Sequence, residues 1–272
     1  MNMKKIRKLI IGLAAIALPV CGVLRAEVIT LQDFSGVTDG TALPSVSGWS
    51  LQSGTTNATV SATAGYSGAG ATMNNLSLYR YTIPTEDKMT AGGTTISGYS
   101  VKLQLSSANN YQQAQILAGK NDGVNGLAVV FDGGTSDVNT DNVIKISSGG
   151  TGWGSITYTT LSLNWKANDW YQVDFTNISL VSSGYGSAVT GYVTITDLTT
   201  STILLSNQLV TGFGNSGTFN TIDSLLVGNK ASARQINFDD LTAMAVPEPG
   251  ALSLIGLTLL SLPLLRRRIR TS

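Results

Sequence analysis

The sequence predicts an all-β body built as a two-sheet antiparallel β-sandwich. The body is rich in Gly, Ser, Thr and Asn, which favour turns and half-exposed strands over helices. Apolar and polar side chains alternate in short runs, which is the period of a strand with one buried face. No stretch of the body shows helical periodicity, so a sandwich or barrel is expected for one domain of this size.

The alternation is clearest at residues 101–105, 127–131 and 171–175. Further strands are predicted around residues 144–146, 156–158, 192–196, 225–227 and 236–241, between turn pairs such as Asn125-Gly126. Residues 161–174 and 192–205 are predicted to be long neighbouring strands of one sheet. The spacing favours two large sheets with jelly-roll topology, in which the first strand, near residues 28–34, lies beside the last, near residues 236–243.

The first 26 residues are typical of a secretory signal. An apolar segment at residues 9–20 follows a basic region made of Lys4, Lys5, Arg7 and Lys8. We expect cleavage after Ala26. A lipoprotein signal at Cys21 is the alternative, but Pro19 and Val20 before it are not the small residues that such a signal needs. The predicted organisation is a signal helix at 1–26, the sandwich at 27–245 and a hydrophobic sorting segment at 246–272.

Charge and composition exclude several classes of function. Residues 27–245 contain eight Lys and Arg against 15 Asp and Glu, a formal charge of −7 that the value of +1 for the whole chain conceals. An acidic body does not fit nucleic acid, so no nucleic-acid partner is expected. The chain has no histidine, and its one cysteine is Cys21. Thiol and histidine nucleophile systems and most zinc, haem or copper sites are therefore excluded for the mature body.

The C-terminal residues form a block of three parts. Two prolines fix the backbone of Val246, Pro247, Glu248 and Pro249 in an extended form that can join neither a sheet nor a helix. Residues 250–265 carry no charge and would span about 24 Å as a helix, less than a hydrocarbon core of about 30 Å. A basic cluster then orients the segment with its end in the cytoplasm: Arg266, Arg267, Arg268 and Arg270.

This order of Pro-Glu-Pro, apolar span and terminal arginines resembles the PEP-CTERM sorting signal of Gram-negative bacteria that make exopolysaccharide. The resemblance implies that an exosortase-type membrane transpeptidase cuts near residues 247–249. It also implies export by the general secretory route, transient anchoring in the inner membrane, and release to the outer envelope, the cell surface or the extracellular matrix. A plain C-terminal membrane anchor is the alternative interpretation.

The body resembles concanavalin A-like, laminin G-like jelly-roll domains. The similarity rests on Asp33-Phe34-Ser35 and on residues 168–173 and 236–241, and it implies a fold more than a function. Laminarinase-type glucanases on this fold use an E-x-D-x-x-E motif, which this sequence lacks. Asp239 and Asp240 are the one adjacent acidic pair outside the loops, and strand geometry predicts that they point to opposite faces. We therefore expect no enzyme activity.

One acidic stretch is a candidate calcium site, since calcium prefers hard oxygen ligands. Its candidate ligands are Asp132, Asp137, Asn139 and Asp141. The spacing of the last three matches the start of an EF-hand loop, but Asn142 and Ser148 stand where that loop needs glycine and glutamate. A solvated turn is the competing interpretation, and we expect no other cofactor.

Exposed aromatic rings could stack on sugars, and Trp153 and Trp49 are the candidate platforms. Tyr66 belongs to a wider set of aromatic candidates, whereas Trp165 and Trp170 are expected in the core because they border a well-patterned strand. The predicted function is a secreted, non-catalytic protein with a structural or adhesive role in the envelope or exopolysaccharide matrix. A lectin-like carbohydrate-binding module is the first alternative, and a divergent glycan-active hydrolase is the second.

Overall fold

Antiparallel strands make up nearly all regular structure in the described part of the chain, as seen in a computed structural model. The structure describes residues 27–246 except 75, 94, 107–112, 121–124, 134–141, 153–154, 164, 183–184, 215–217 and 230–234. Among these residues there are short 3-10 turns but no α-helix. The predicted helices at residues 1–26 and 250–265 lie outside this part of the chain. Within the described part, we find no helix with the length and apolar character needed to span a bilayer.

The first sheet has the strand order β3-β4-β17-β7-β12-β13-β14, and β1 also pairs with β17. Its strands are β1 (Glu27–Gln32), β3 (Ala58–Ser61), β4 (Gly70–Asn74), β7 (Ile96–Leu105), β12 (Trp170–Ser179), β13 (Thr190–Asp197), β14 (Thr202–Thr211) and β17 (Gln235–Ala245). The pairing of β1 with β17 confirms that the first and last strands of the body are adjacent.

The second sheet has the order β2-β5-β16-β8-β9-β10-β11. Its strands are β2 (Trp49–Gly54), β5 (Ser77–Thr82), β8 (Gln113–Gly119), β9 (Gly126–Asp132), β10 (Val143–Gly150), β11 (Ile156–Leu161) and β16 (Ser224–Asn229). The sheets meet at one edge, where Ser148 of β10 pairs in parallel with Thr211 of β14. A separate short pair joins β6 (Met89–Thr90) to β15 (Thr221–Ile222).

One hydrophobic core joins the two sheets, because alternate side chains of both sheets point inward. The runs at residues 101–105, 127–131 and 171–175 supply fully buried side chains to this core, as their alternation predicts: Val101, Leu103, Leu105, Leu127, Val129, Phe131, Tyr171, Val173 and Phe175. The all-β sandwich prediction is therefore confirmed, and the arrangement agrees with a jelly roll.

An aromatic cluster connects the two sheets near the start of the body. Trp49 of β2 lies 5.3 Å from Phe238 of β17, 5.4 Å from Tyr81 of β5 and 5.9 Å from Phe34, measured between ring centroids. The Tyr81 hydroxyl donates a hydrogen bond of 2.7 Å to the Leu31 carbonyl in β1. The cluster thus holds the first strand, the last strand and the second sheet together.

The outer faces of the two sheets differ. The second sheet buries apolar residues on its outer face as well, in a small cluster of Leu78, Leu117, Ala128, Phe213 and Leu226, against which Ile156 and Tyr158 of β11 pack. Burial raises the pKa of Tyr158 to about 12. The outer face of the first sheet instead carries polar side chains that keep some contact with solvent. The outer face of the first sheet is therefore an open polar surface.

Two of the predicted strands are wrong in extent. Residues 161–174 do not form one strand, because β11 ends at Leu161 and β12 begins at Trp170. Residues 192–205 are divided by a turn in which the Asp197 carboxylate accepts hydrogen bonds from the backbone N–H groups of Thr199 and Thr200. This local bonding competes with the sheet ladder and starts a hairpin between β13 and β14.

The core position of Trp49 gives a stability prediction. We expect Trp49→Ala to lower the free energy of unfolding by about 3–5 kcal/mol, since it removes a buried ring from the junction of the sheets. Ile203→Ala is the matched control, because Ile203 is 60% exposed and its truncation should cost less than about 0.5 kcal/mol. Urea unfolding of both variants measures the difference, and equal costs would contradict the placement of Trp49.

Candidate functional site

The candidate site lies on the outer face of the first sheet, where three central strands present outward side chains in register. Lys102 of β7 is opposite Gln172 of β12 and Asp239 of β17. In the next row, Gln104 of β7 is opposite Trp170 and Asn237. These side chains share a face because strand side chains alternate with a period of two.

A β-bulge in β17 places two carboxylates at this site. Asp240 has a positive φ of 47°, and the pairing of β17 with β7 shifts by one residue between Asp239 and Thr242. The Asp240 carboxylate is 2.6 Å from the ammonium of Lys102, and Asp239 lies opposite Lys102 in the ladder. The prediction that Asp239 and Asp240 point to opposite faces is therefore wrong, because the bulge breaks the strand alternation on which it depends.

Asp239 is covered by the loop between β3 and β4. Its carboxylate accepts hydrogen bonds from the backbone N–H groups of Asp240 and Tyr66, at 2.8 and 3.0 Å, and it is 2% exposed. The loop comes so close that a Cβ added to Gly65 would lie 2.6 Å from an Asp239 carboxylate oxygen. Burial raises the pKa of Asp239 to about 6, and the two backbone donors and Lys102 only partly offset this effect.

Tyr66 and Trp170 form the aromatic part of the site. Their rings meet edge to face, with centroids 5.8 Å apart and planes at 70°. Tyr66 is 42% exposed, and Trp170 is half-buried at the start of β12. The Lys102 ammonium lies 4.5 Å from the centre of the Tyr66 ring, within the range of a cation–π contact. The same ammonium therefore fixes both the aromatic ring and the Asp240 carboxylate.

A ladder of amide groups continues the site across the strands. Gln235 donates to Asn237 at 2.7 Å, Asn237 to Gln104 at 2.9 Å, and Gln104 to the backbone carbonyl of Asn168 at 2.8 Å. Each amide thus has a defined orientation before any ligand arrives. A surface of oriented amides beside exposed rings can both hydrogen-bond hydroxyl groups and stack on apolar ring faces.

The tryptophans only partly follow the sequence predictions. Trp49 is 5% exposed and packed among aromatic rings, so it is unavailable to a sugar and the prediction of a platform there is wrong. Trp165 is in the core as predicted, with its indole N–H donating to the Asp132 carbonyl at 3.2 Å. Trp170 is not in the core. In the alternation along β12 it falls on the same outward face as Gln172 and Asp174, so the sequence pattern itself indicates an outward side chain.

Of the four predicted calcium ligands, only Asp132 lies among the described residues. Its carboxylate forms an ion pair with Lys145 of the neighbouring strand β10, and its side chain is 12% exposed. The other candidate ligands, Asp137, Asn139 and Asp141, lie outside the described residues. Calcium binding stays a prediction, and at Asp132 the metal would bind a carboxylate that already pairs with the Lys145 ammonium.

Several further predicted residues also lie outside the described part of the chain. They are Trp153, Pro247, Glu248, Pro249, Arg266, Arg267, Arg268 and Arg270. Val246 is described and is 39% exposed directly after β17. The roles of these residues stay predictions.

The geometry of the site suits binding better than cleavage. Glycoside hydrolysis needs two carboxyl groups that reach opposite sides of one bond. Asp239 has the raised pKa of a general acid, but both of its oxygens accept backbone hydrogen bonds under a covering loop. Asp240 is held by Lys102. Asp239 is therefore not placed to contact a glycosidic oxygen in this arrangement.

The raised pKa of Asp239 predicts a pH dependence of stability. The folded-state pKa of about 6 exceeds the ordinary value of 3.8, so Asp239 contributes stability that is fully present below about pH 4 and lost as pH rises past about 6. When the pH is lowered from 8 to 4, the free energy of unfolding of the wild-type protein should rise by about 1–3 kcal/mol more than that of Asp239→Asn. Urea unfolding of both proteins across this range measures the difference, and parallel pH profiles would contradict it.

A scan of protein-family models and a search of curated proteins gave no match. Solved structures with a similar strand arrangement include a carbohydrate-binding module from Bacillus subtilis, with 13% identity and a TM-score of 0.40 over 74% of this chain and 97% of that one. Another is a family 11 carbohydrate-binding module from Clostridium thermocellum in complex with a β-1,3-1,4-mixed-linked tetrasaccharide, with 13% identity and a TM-score of 0.37 over 81% and 97% of the two chains. An uncharacterized protein from Mycobacterium paratuberculosis matches with 9% identity and a TM-score of 0.46 over 77% and 97%.

Proposed function

We propose that the sandwich body is a non-catalytic glycan-binding module and that its binding surface is the outer face of the first sheet around Tyr66 and Trp170. The main support for this proposal is that two accessible aromatic rings, Tyr66 and Trp170, contact each other beside a row of hydrogen-bonded amides. Sugar rings present apolar C–H faces and hydroxyl edges, so they are matched by aromatic faces and amide groups together.

The side chains of this surface are held in place by their neighbours without a ligand. Lys102 holds the ring of Tyr66 from one side, Trp170 meets its edge, and the Tyr66 backbone is tied to Asp239. The amides of Gln104 and Asn237 are fixed by each other. A surface whose side chains are already ordered loses less conformational entropy on binding, so a modest contact area can give useful affinity.

The charge of the body and site favours neutral glycans. Residues 27–245 carry a formal charge of −7, which repels acidic polymers over several ångströms at moderate salt. The one described cation of the site, Lys102, already contacts Asp240 and faces Asp239. Its single positive charge is already opposed by these two carboxylates, so it adds little attraction for a uronate carboxylate. The proposed ligand class is therefore a neutral polysaccharide or oligosaccharide.

We place this activity in an exported envelope or matrix protein. The support is the order of parts after the body, in which Val246 and residues 247–249 precede an uncharged span and four arginines. In this proposal an exosortase-type transpeptidase recognises residues 246–249, and the body reaches the outer envelope or exopolysaccharide matrix. Glycan binding there gives the protein an adhesive role, which unites the predicted structural function with its carbohydrate-binding alternative.

The glycan proposal predicts a specific loss of binding. Tyr66→Ala and Trp170→Ala should each weaken retention of the purified protein by laminarin or xylan about 10–100-fold, because each removes a ring from the centre of the surface. Affinity electrophoresis in gels that contain each polysaccharide measures this. The acidic polymer alginate should retain the wild-type protein less than the neutral polymers do.

The matched control is Tyr185→Ala, which removes a tyrosine that is 58% exposed in the connection between β12 and β13. This variant should bind like the wild-type protein. Equal retention of the Trp170, Tyr66 and Tyr185 variants would contradict the proposed surface. Release of reducing sugar from laminarin or xylan by the wild-type protein would contradict the absence of catalysis.

The sorting proposal predicts a shortened mature chain. Mass spectrometry of the protein isolated from its native cells should find a C-terminus at or before residues 247–249. Replacing Pro247, Glu248 and Pro249 together by alanine should leave the tail uncut, while alanine at Pro84 and Glu86, in the loop before β6, should not affect processing. A native chain that extends through Ser272 would refute sorting and leave a simple anchor.

A further inference from the structure

Tyr192 of β13 is an exposed aromatic residue on the same outer face as the proposed glycan surface. It is 39% exposed. In the sheet it is opposite Thr176 of β12 and Leu209 of β14, and Leu209 is 50% exposed. Thr176 has the outward parity of Trp170, which it follows by six positions on β12. Tyr192 therefore presents a second accessible ring, with an apolar side chain beside it, near the other end of the strand that carries Trp170.

A β-bulge adds an amide group next to Tyr192. Asn177 has a positive φ of 48°, and the pairing of β12 with β13 shifts between Thr176 and Ser179. The bulge leaves Asn177 exposed directly after the Thr176–Tyr192 pair, while the next residue, Ile178, packs against the core. An exposed amide beside an exposed ring thus repeats, at this end of the sheet, the combination of ring and amides found at Trp170.

Partly exposed polar side chains connect the two aromatic ends. They are the outward residues of β12, which we call the β12 row: Gln172, Asp174 and Thr176. The Gln172 amide donates a hydrogen bond of 2.8 Å to the Asp174 carboxylate. On β13, the residues opposite Gln172 and Asp174 are Thr196 and Thr194. The row and its neighbours therefore offer amide, carboxylate and hydroxyl groups to the hydroxyl edges of a sugar chain.

The surroundings of Trp170 set the direction in which a long ligand can lie. On the side of β17, the loop between β3 and β4 covers Asp239. The hydroxyl oxygen of Thr72 in β4, which is opposite Asn237, is buried. The open part of the surface therefore continues along β12 rather than across β17 and β4. Six strand residues at about 3.3 Å each separate Trp170 from Thr176 by about 20 Å, the length of about four sugar units in an extended chain.

We propose that the glycan surface is a linear site for about four consecutive units of a neutral chain. The chain lies along β12, with one end on Tyr66 and Trp170 and the other on Tyr192. This inference rests on the proposed glycan-binding function and adds to it the length and direction of the ligand. Tyr192 is then a specificity residue, because only a long chain reaches it. Asp174, in the middle of the row, accepts hydrogen bonds from hydroxyl groups and repels a uronate, which agrees with a neutral ligand.

The length of the site can be measured with xylo-oligosaccharides and laminari-oligosaccharides of about two to six units. In isothermal titration calorimetry of the purified protein, affinity for the chain type that binds should rise about tenfold or more between two and four or five units. It should then level off, because units beyond the two aromatic ends make no further contact.

Variants at Tyr192 test its role. Tyr192→Ala should weaken binding of the six-unit chain about 3–10-fold and leave binding of the two-unit chain unchanged, since a short chain is held at Tyr66 and Trp170. Tyr192→Phe keeps the ring, so its affinity for the six-unit chain should stay within about twofold of the wild type. The matched control is Ile203→Ala, which removes a side chain that is 60% exposed on the same face but lies two strands from β12. This control should bind both chains like the wild type.

NMR titration tests the direction of the chain. The six-unit chain should shift the backbone amide signals of Asp174, Thr176 and Tyr192 in a saturable way and leave the signal of Thr72 unchanged. The two-unit chain should shift only signals near Trp170. Shifts at Thr72 instead of Thr176 would indicate a chain that crosses the strands, and they would overturn the linear site.

Equal affinities for the two-unit and six-unit chains would also overturn the linear site, as would equal affinities of the wild type and Tyr192→Ala for the six-unit chain. Either result can occur while Trp170→Ala still loses retention by polysaccharide, and the glycan surface would then stand as a shorter site. Absence of oligosaccharide binding, together with unchanged polysaccharide retention in Trp170→Ala, would overturn the glycan function itself.

Discussion

The structure depends most on the pairing of the closing strand, β17, within the first sheet. β17 pairs with β7, β4 and β1, so it joins segments from the start, the middle and the end of the body. Its Phe238 packs against Phe34 and Trp49, which carries the same connection across to the second sheet. Because these contacts join residues far apart in sequence, the core is incomplete until the last strand of the body is in place. Topologies of this kind fold slowly, since loop-closure entropy is lost before the contacts form.

The candidate site is a consequence of how β17 departs from regularity. The extra residue at Asp239–Asp240 brings two carboxylates to the same region of the sheet, where Lys102 on the adjacent strand compensates them. The loop that carries Tyr66 is then anchored on Asp239. A bulge disrupts the local ladder, and here the disruption provides the attachment point for the aromatic side chain. The raised pKa of Asp239 reflects the burial that this attachment requires.

The strand alternation in the sequence was sufficient to predict the sandwich and much of its core, because a period of two marks which side chains face inward. It also contains the outward parity of Trp170, which shows that a tryptophan bordering a well-patterned strand need not face the core. The bulge could not be predicted in this way, since an aspartate in a left-handed conformation leaves no periodic signal. Tyr66 lies in a loop rich in Ser, Thr and Gly, whose position depends on the distant Asp239. Trp49 follows a glycine turn, and its burial depends on Phe34 and Phe238 from other strands.

The difference between the two outer faces explains why the proposed glycan surface lies on the first sheet. On the second sheet, the outward residues Leu78, Leu117 and Leu226 belong to an apolar cluster against which Ile156 and Tyr158 of β11 pack, so these positions offer a sugar chain no hydrogen-bonding side chain. On the first sheet, outward positions of β7, β12 and β17 are occupied by amides, carboxylates and Trp170, which need no covering because water or hydroxyl groups satisfy them. An extended chain of sugars can replace that water along several strands at once. The polar character of its outward residues therefore makes the first sheet the better surface for a polymer.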